Sequence, residues 1–131
     1  PDGWSPTAST SSTTDVAADA VDDDASTRFS SGTAQAPGQY LQVDLGKVQR
    51  PQQVVFDTGA STGDYPRGYT VTTSTDGEHW APVGSAAQGT GQFTAVDLDG
   101  RATRYVRLTL TAASGSWWSV ADVRAYAAAR R

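Results

Sequence analysis

The chain reads as an all-β domain, an antiparallel sandwich of about eight short strands. Three observations carry that expectation. Short runs alternate apolar and polar residues, the two-residue period of a strand with one buried face. Turn signals such as Asp76-Gly77 and Asp99-Gly100 separate those runs at close intervals. The Ala-rich patches are too short to nucleate a helix. With 131 residues, a single domain over 1–131 with one core suffices, its ends frayed at 1–3 and 127–131.

Residues 1–14 carry Trp4 and then a Ser/Thr run. Thr suits a pleated surface and the indole is a good anchor, so we read an edge strand rather than a linker. Residues 15–29 hold Asp15, Asp19, Asp22, Asp23 and Asp24, then Ser26, Thr27, Arg28 and Phe29. Five carboxylates so close together repel one another, and an ordered segment needs something to offset that. Two solutions stand: a hard cation such as Ca²⁺ taken up by carboxylate, hydroxyl and carbonyl oxygens, or a solvated acidic turn with Arg28 as partial counter-charge. An EF-hand is excluded, since its glycine and distant glutamate are missing.

Residues 30–39 read as a polar loop. Tyr40–Leu45 alternates cleanly and Gly46 ends it. A further strand covers 48–57, with Pro51 marking an edge or a bend. Residues 58–68 form a long loop in which Tyr65 and Arg67 flank Pro66, a constraint that lowers the entropy lost on binding. Tyr65 is either a ligand contact or a cap on the sandwich end. Tyr69–Thr75 is a strand, the Asp-Gly pair turns it, and its partner begins near Trp80. Residues 84–91 are loop, Gln92–Leu98 alternates, and in Thr103–Thr111 the residues Val106, Leu108 and Leu110 oppose Tyr105, Arg107 and Thr109.

The stretch S-G-S-W-W-S-V-A-D-V-R-A-Y at 114–126 opens as a turn and continues as a strand. Adjacent residues on an extended chain point opposite ways, so at most one of Trp117 and Trp118 enters the core. The other is offered to solvent at a loop tip, as a recognition surface, unless both pack under neighbouring loops. Trp4 and Trp80 are assigned to packing.

Composition narrows the function. The net charge is −4, Lys47 is the only lysine, and the nine arginines are scattered, so nucleic acid is not an expected partner. No apolar run reaches the length of a membrane span. Without cysteine there is no disulfide or thiolate chemistry. A start at Pro1, with neither Met nor signal peptide, reads as a piece of something longer. A Ser/Thr/Gly/Ala/Asp surplus with almost no Lys is associated with exported bacterial proteins, so a secreted monomer is expected. Catalysis is not: His79 and Glu78, the only histidine and glutamate, sit together in a hairpin turn, and no pair of acid/base carboxylates stands out.

Taken in order, A-V-D-D-D-A-S-T-R-F, G-Q-Y-L-Q-V-D-L-G, Y-P-R-G-Y-T-V-T-T-S-T-D-G-E-H-W, R-Y-V-R-L-T-L-T and S-W-W-S-V-A-D-V-R-A-Y resemble the coagulation factor 5/8 type C, or discoidin, family, and within it the family 32 carbohydrate-binding modules of bacterial glycoside hydrolases. The resemblance runs from Trp4 to Tyr126. It implies a galactose-binding-like jelly roll and a structural Ca²⁺ held by the Ala20 carbonyl, Asp22, Asp24, Thr27, the Ala121 carbonyl and Asp122. Asp122 stands where the family usually has Glu, and Asp23 where it usually has Gly. The resemblance also implies sugar binding on the Ser30–Gly32, Gly63–Arg67 and Ser116–Trp118 loops. Ser30 stands where many galactose binders have His, which favours glucans or amino-sugar polymers.

The mechanism expected is indole stacking by Trp117 or Trp118 on a pyranose face, with Tyr65, Asp64, Arg67 and Ser30 supplying further contacts. A site of that size binds weakly, on the order of 10 μM to 1 mM, and serves by tethering a linked catalytic domain to its polymer. The competing expectation is discoidin-type adhesion to a protein or lipid surface.

Overall fold

The computed structural model describes residues 3–22, 24 and 26–127. Asp23, Ala25 and the expected frayed residues 1–2 and 128–131 lie outside them. Among the described residues the fold is all-β: ten strands and one turn of 3-10 helix at Ala17–Ala20. The strands are β1 (Ser5–Ala8), β2 (Phe29–Gln35), β3 (Tyr40–Gln49), β4 (Gln53–Asp57), β5 (Tyr69–Ser74), β6 (Ala81–Pro82), β7 (Phe93–Asp97), β8 (Thr103–Leu110), β9 (Ser114–Val120) and β10 (Asp122–Tyr126). All pairings are antiparallel. A five-stranded sheet runs β1-β3-β8-β5-β6, a three-stranded sheet β10-β4-β7, and β2 pairs β9. The two smaller sheets meet where the Ala121 N–H donates to the Asp57 carbonyl at 2.7 Å.

The alternation read from the sequence sets the core. Leu41, Val43 and Leu45 of β3 and Val106, Leu108 and Leu110 of β8 point inward, with Val71 beside them. They pack against Phe29, Val54, Phe56, Val96, Trp118, Val120 and Val123 from the smaller sheets, in one cluster. Trp4 packs against the edge of this cluster and β1 is an edge strand, as expected.

Three expectations fail. Residues 30–39 are not all loop, because Phe29–Gln35 is a strand. Gly46 does not end β3, which continues to Gln49 through a register shift, with Gly46 at φ 82°. Ser114–Ser116 is not a free turn but the start of β9, with Ser114 opposite Gln35. The cause is the same for the first and last: each segment finds its partner in the other, and neither pattern is visible alone.

The registers locate the loops. Tyr40 lies opposite Thr109, and Tyr69 opposite Leu110. The connections at 36–39, 58–68, 84–91 and 111–113 therefore gather at one pole. The 75–80 turn and the 98–102 turn lie at the other. No helix among the described residues is long and apolar enough to cross a membrane.

Candidate functional site

Adjacent tryptophans on β9 are sorted by the pleat. The Trp118 N–H donates to Ser31 Oγ at 3.0 Å, and its ring, 1% exposed, meets Phe29 edge-on with centroids 5.4 Å apart. Trp118 is a core residue, and its expected part in sugar stacking is corrected: a fully packed ring has no face to offer. Trp117, opposite Ala34, is 42% exposed. It stands on a strand rather than at a loop tip, so its backbone is fixed by pairing.

Beside Trp117 lies the 58–68 loop. The Arg67 guanidinium rests on the Tyr65 ring, 3.7 Å from its centroid. Its Nη1 donates to the Tyr65 carbonyl at 2.8 Å and its Nη2 to Ser116 Oγ at 3.3 Å. A cation on an aromatic face gains about 0.5–1 kcal/mol where water still reaches it. Here it also orients both groups. Tyr65, Arg67 and Ser116 thus form one cluster, held against the strand that carries Trp117; the four are termed the platform.

Gln35 holds the platform together, and nothing in the sequence singled it out. It is 2% exposed. Its Nε2 donates to the Tyr65 carbonyl at 2.9 Å and to the Trp117 carbonyl at 3.3 Å, and its Oε1 accepts from the Arg67 N–H at 3.1 Å. One buried amide therefore joins the loop to the strand. Gly89 closes the far side: a Cβ there would lie 2.0 Å from the Pro66 carbonyl oxygen. Only glycine lets the 84–91 loop come this close.

Two more expected sugar contacts are reassigned. Ser30 is fully buried beneath the N-terminal segment, its carbonyl accepting from the Ser12 N–H at 3.0 Å and its N–H donating to the Asp15 carbonyl at 2.9 Å. It cannot touch a ligand at the surface. Asp64 is committed inward: its Oδ2 accepts from Ser119 Oγ at 2.7 Å and from Arg28 Nη1 at 3.2 Å. Arg28 also pairs with Asp15 at 3.3 Å and donates to Ser61 Oγ at 2.6 Å. This network pins the 58–68 loop under β9, so Asp64 positions the platform rather than belonging to its surface.

The acidic loop fits a hard cation in part. The Thr27 hydroxyl donates to Asp22 Oδ2 at 2.5 Å and to the Asp24 carbonyl at 2.9 Å, while the Asp24 N–H donates to Asp22 Oδ1 at 3.0 Å. Carboxylate, hydroxyl and carbonyl oxygens thus converge, the donor set that Ca²⁺ takes. The other half turns away: Asp122 Oδ2 accepts from Arg124 Nε at 2.7 Å. Among the described residues no three acidic, His or Cys side chains gather as a metal-binding group. Ala20 is buried beside the loop and Ala121 at the β9–β10 corner. Asp19, in the 3-10 turn, has its carboxyl pushed above the usual carboxylate range by partial burial and by Asp22 and Asp15. His79 lies at the opposite pole, Nδ1 2.7 Å from Asp76 Oδ2.

An antiparallel jelly-roll sandwich with an aromatic platform at its loop pole defines a class of β-sandwich binding domain. Residues 5–123 match the F5/8 type C domain model, and the chain belongs to that family. Its structural neighbours include carbohydrate-binding modules. Chitosan-binding module 1 of a chitosanase/glucanase from Paenibacillus sp. IK-5 is 25% identical, with 95% of each chain covered and a TM-score of 0.80. The family 32 module of NanJ from Clostridium perfringens, solved with galactose, is 17% identical over 94% of this chain and 93% of that one, TM-score 0.80. A family 89 glycoside hydrolase from the same organism contains a similar domain: 18% identity over 96% of this chain but 14% of the enzyme chain, TM-score 0.76. No curated protein matches the sequence.

Proposed function

We propose that this domain is a non-catalytic carbohydrate-binding module that holds a linked glycoside hydrolase against a polysaccharide. The observation that carries it is Trp117: a 42%-exposed indole on a paired strand, whose neighbour Ser116 bonds an arginine stacked on tyrosine. The indole covers the C–H face of a pyranose, and Tyr65, Arg67 and Ser116 meet its hydroxyl edge. Affinity of about 10 μM to 1 mM per site suits a tether, which works by raising local concentration. The family 89 enzyme, of which a similar domain fills 14%, supports that modular arrangement. The domain would act outside the cell, as a monomer. A glucan or amino-sugar polymer is favoured over galactose, since the 25%-identical module is a chitosan binder and the galactose-bound one is 17% identical.

We propose further that Asp22, Asp24 and Thr27 hold a structural Ca²⁺, completed by the carbonyls of Ala20 and Ala121 and by Asp122 once released from Arg124. The ion would neutralise the crowded carboxylates. Added Ca²⁺ then raises Tm by several degrees and chelator reverses it; an unchanged Tm at millimolar Ca²⁺ discards the site.

A polysaccharide-affinity panel on the wild type and Trp117→Ala tests the main reading. Retardation by glycans that the variant loses, with unchanged circular dichroism, supports it. Equal retention by both proteins removes the platform, and liposome flotation without glycan retention points to adhesion instead.

A further inference from the structure

Three of the seven described arginines have their charge met by a carboxylate. Arg28 is paired with Asp15 and Asp64, Arg104 with Asp44, and Arg124 with Asp122. Arg67 differs. Among the described residues no carboxylate lies within 4.0 Å of its guanidinium. The nearest in sequence, Asp64, is turned to Arg28 and Ser119.

We propose that, of the two polymer classes named above, the Trp117 platform selects the glucan, in a form bearing a carboxylate such as a glucuronate unit, over the polycationic amino-sugar polymer. The proposal rests on the carbohydrate reading above and names the substrate class within it. The guanidinium is held flat on Tyr65 and bonded to the Tyr65 carbonyl and Ser116 Oγ. Its orientation is therefore fixed before any ligand arrives, which removes much of the ordering cost. Two of its five N–H donors are used in those bonds, leaving three. A planar cation with spare parallel donors is matched to a carboxylate, and its bonds to an anion are stronger than those to neutral hydroxyls. Ser116 bonds this cation, and Gln35 bonds the carbonyls of both Tyr65 and Trp117, so the guanidinium is anchored to the strand that carries the indole. An ammonium group brought there meets like charge instead.

Three cello-type oligosaccharides of one length separate the possibilities: the neutral glucan, the same glucan oxidised at C6 to the carboxylate, and the glucosamine oligomer. Calorimetric titration at low salt is expected to rank them oxidised, neutral, amino, with the oxidised chain about five-fold tighter than the neutral one. High salt shrinks that ratio. Arg67→Gln weakens binding of both chains, since it removes a contact to the sugar edge, but brings the oxidised-to-neutral ratio to about one, and Arg67→Lys keeps part of the preference. The chain's net charge of −4 repels the oxidised oligomer almost equally in wild type and variants, so their ratio isolates Arg67. Should Arg67→Gln fail to fold, the salt dependence of the wild-type ratio decides the matter. Equal binding of neutral and oxidised chains at low salt, or a preference that Arg67→Gln leaves unchanged, overturns the inference but spares the carbohydrate reading. Binding of none of the three overturns both.

Discussion

The outer face of the five-stranded sheet carries the same chemistry as the Trp117 pole and uses it differently. On the sheet, the Arg107 guanidinium lies between Tyr40 and Trp80, 4.7 and 4.4 Å from their ring centroids. Trp80 in turn leans on Tyr105 at 6.2 Å. These rings are all half-buried: Arg104 is bidentate to Asp44, while Arg107 Nε and Nη2 both donate to the neutral Gln42 Oε1, at 3.0 and 2.7 Å. At the pole, Trp117 is 42% exposed, and Arg67, like Arg107, spends two donors on neutral oxygens, but it covers one ring where Arg107 lies between two. Arginine on an aromatic ring is therefore not itself a recognition signature. What distinguishes a site from a surface brace is whether a ring keeps an open face, as Trp117 does and Tyr40, Trp80 and Tyr105 do not to the same extent.

The largest effect that would sharpen this contrast is expected at Gln35. Gln35→Leu leaves two part-buried carbonyls and one N–H without their partner, at a cost of roughly 1–3 kcal/mol. Chemical denaturation should show that loss, and glycan affinity should fall with it, because the loop and β9 are no longer held in register. A variant of unchanged stability would mean that the amide is not the staple its three bonds suggest. Next comes the pair of indoles. Trp117→Ala should lower glycan affinity about ten-fold or more and barely move Tm. Trp80→Ala should do the reverse, losing about 1–2 kcal/mol of stability with affinity intact. If Trp80→Ala also abolished retention on polysaccharide, the sheet face would belong to the site and the contrast would break.

The parts of this fold that were legible share a cause. In β3 and β8 every second residue meets the core and the others meet water, so Leu41, Val43 and Leu45, or Val106, Leu108 and Leu110, announce their own face. In β2 the burial is consecutive. Phe29, Ser30 and Ser31 are all covered, because the N-terminal segment lies across them; a Cβ on Gly32 would sit 2.8 Å from the Ser12 nitrogen. Two serines and a glycine covered by tertiary contact leave no period to read. The tryptophan pair was half legible: alternation puts one in and one out, but only the pairing of β9 with β2 chooses Trp118 for the core. Gln35 was illegible altogether, since a glutamine in a polar run carries no sign of burial. Asp64 and Arg67 looked equivalent in sequence, and only Arg28, far away in the chain, separates them.

The smallest effect concerns how the sheet face consumes its charge. Asp44 accepts from Arg104 Nε at 2.9 Å and Nη2 at 3.2 Å, and from the Gly46 N–H at 2.8 Å. The Arg104 hydrogen bonds, against some burial, hold its carboxyl below the usual carboxylate range. A folded-state pKa lower than the unfolded one means stability that is complete above the unfolded value, about 3.9, and drains away as pH falls through the folded one. Asp44→Asn removes that contribution. Its Tm should lie roughly 1–2 °C below the wild type at neutral pH, and the gap should close as pH falls from 5 to 2. The wild type still loses stability over that interval, because Asp76, held low by the His79 N–H, its side chain and the Glu78 N–H, gives the same sign. Glycan affinity should be the same in both proteins at neutral pH. A gap that stays constant with pH would show that Asp44 acts by packing rather than charge, and a change in affinity would mean that the cation it neutralises serves the platform as well.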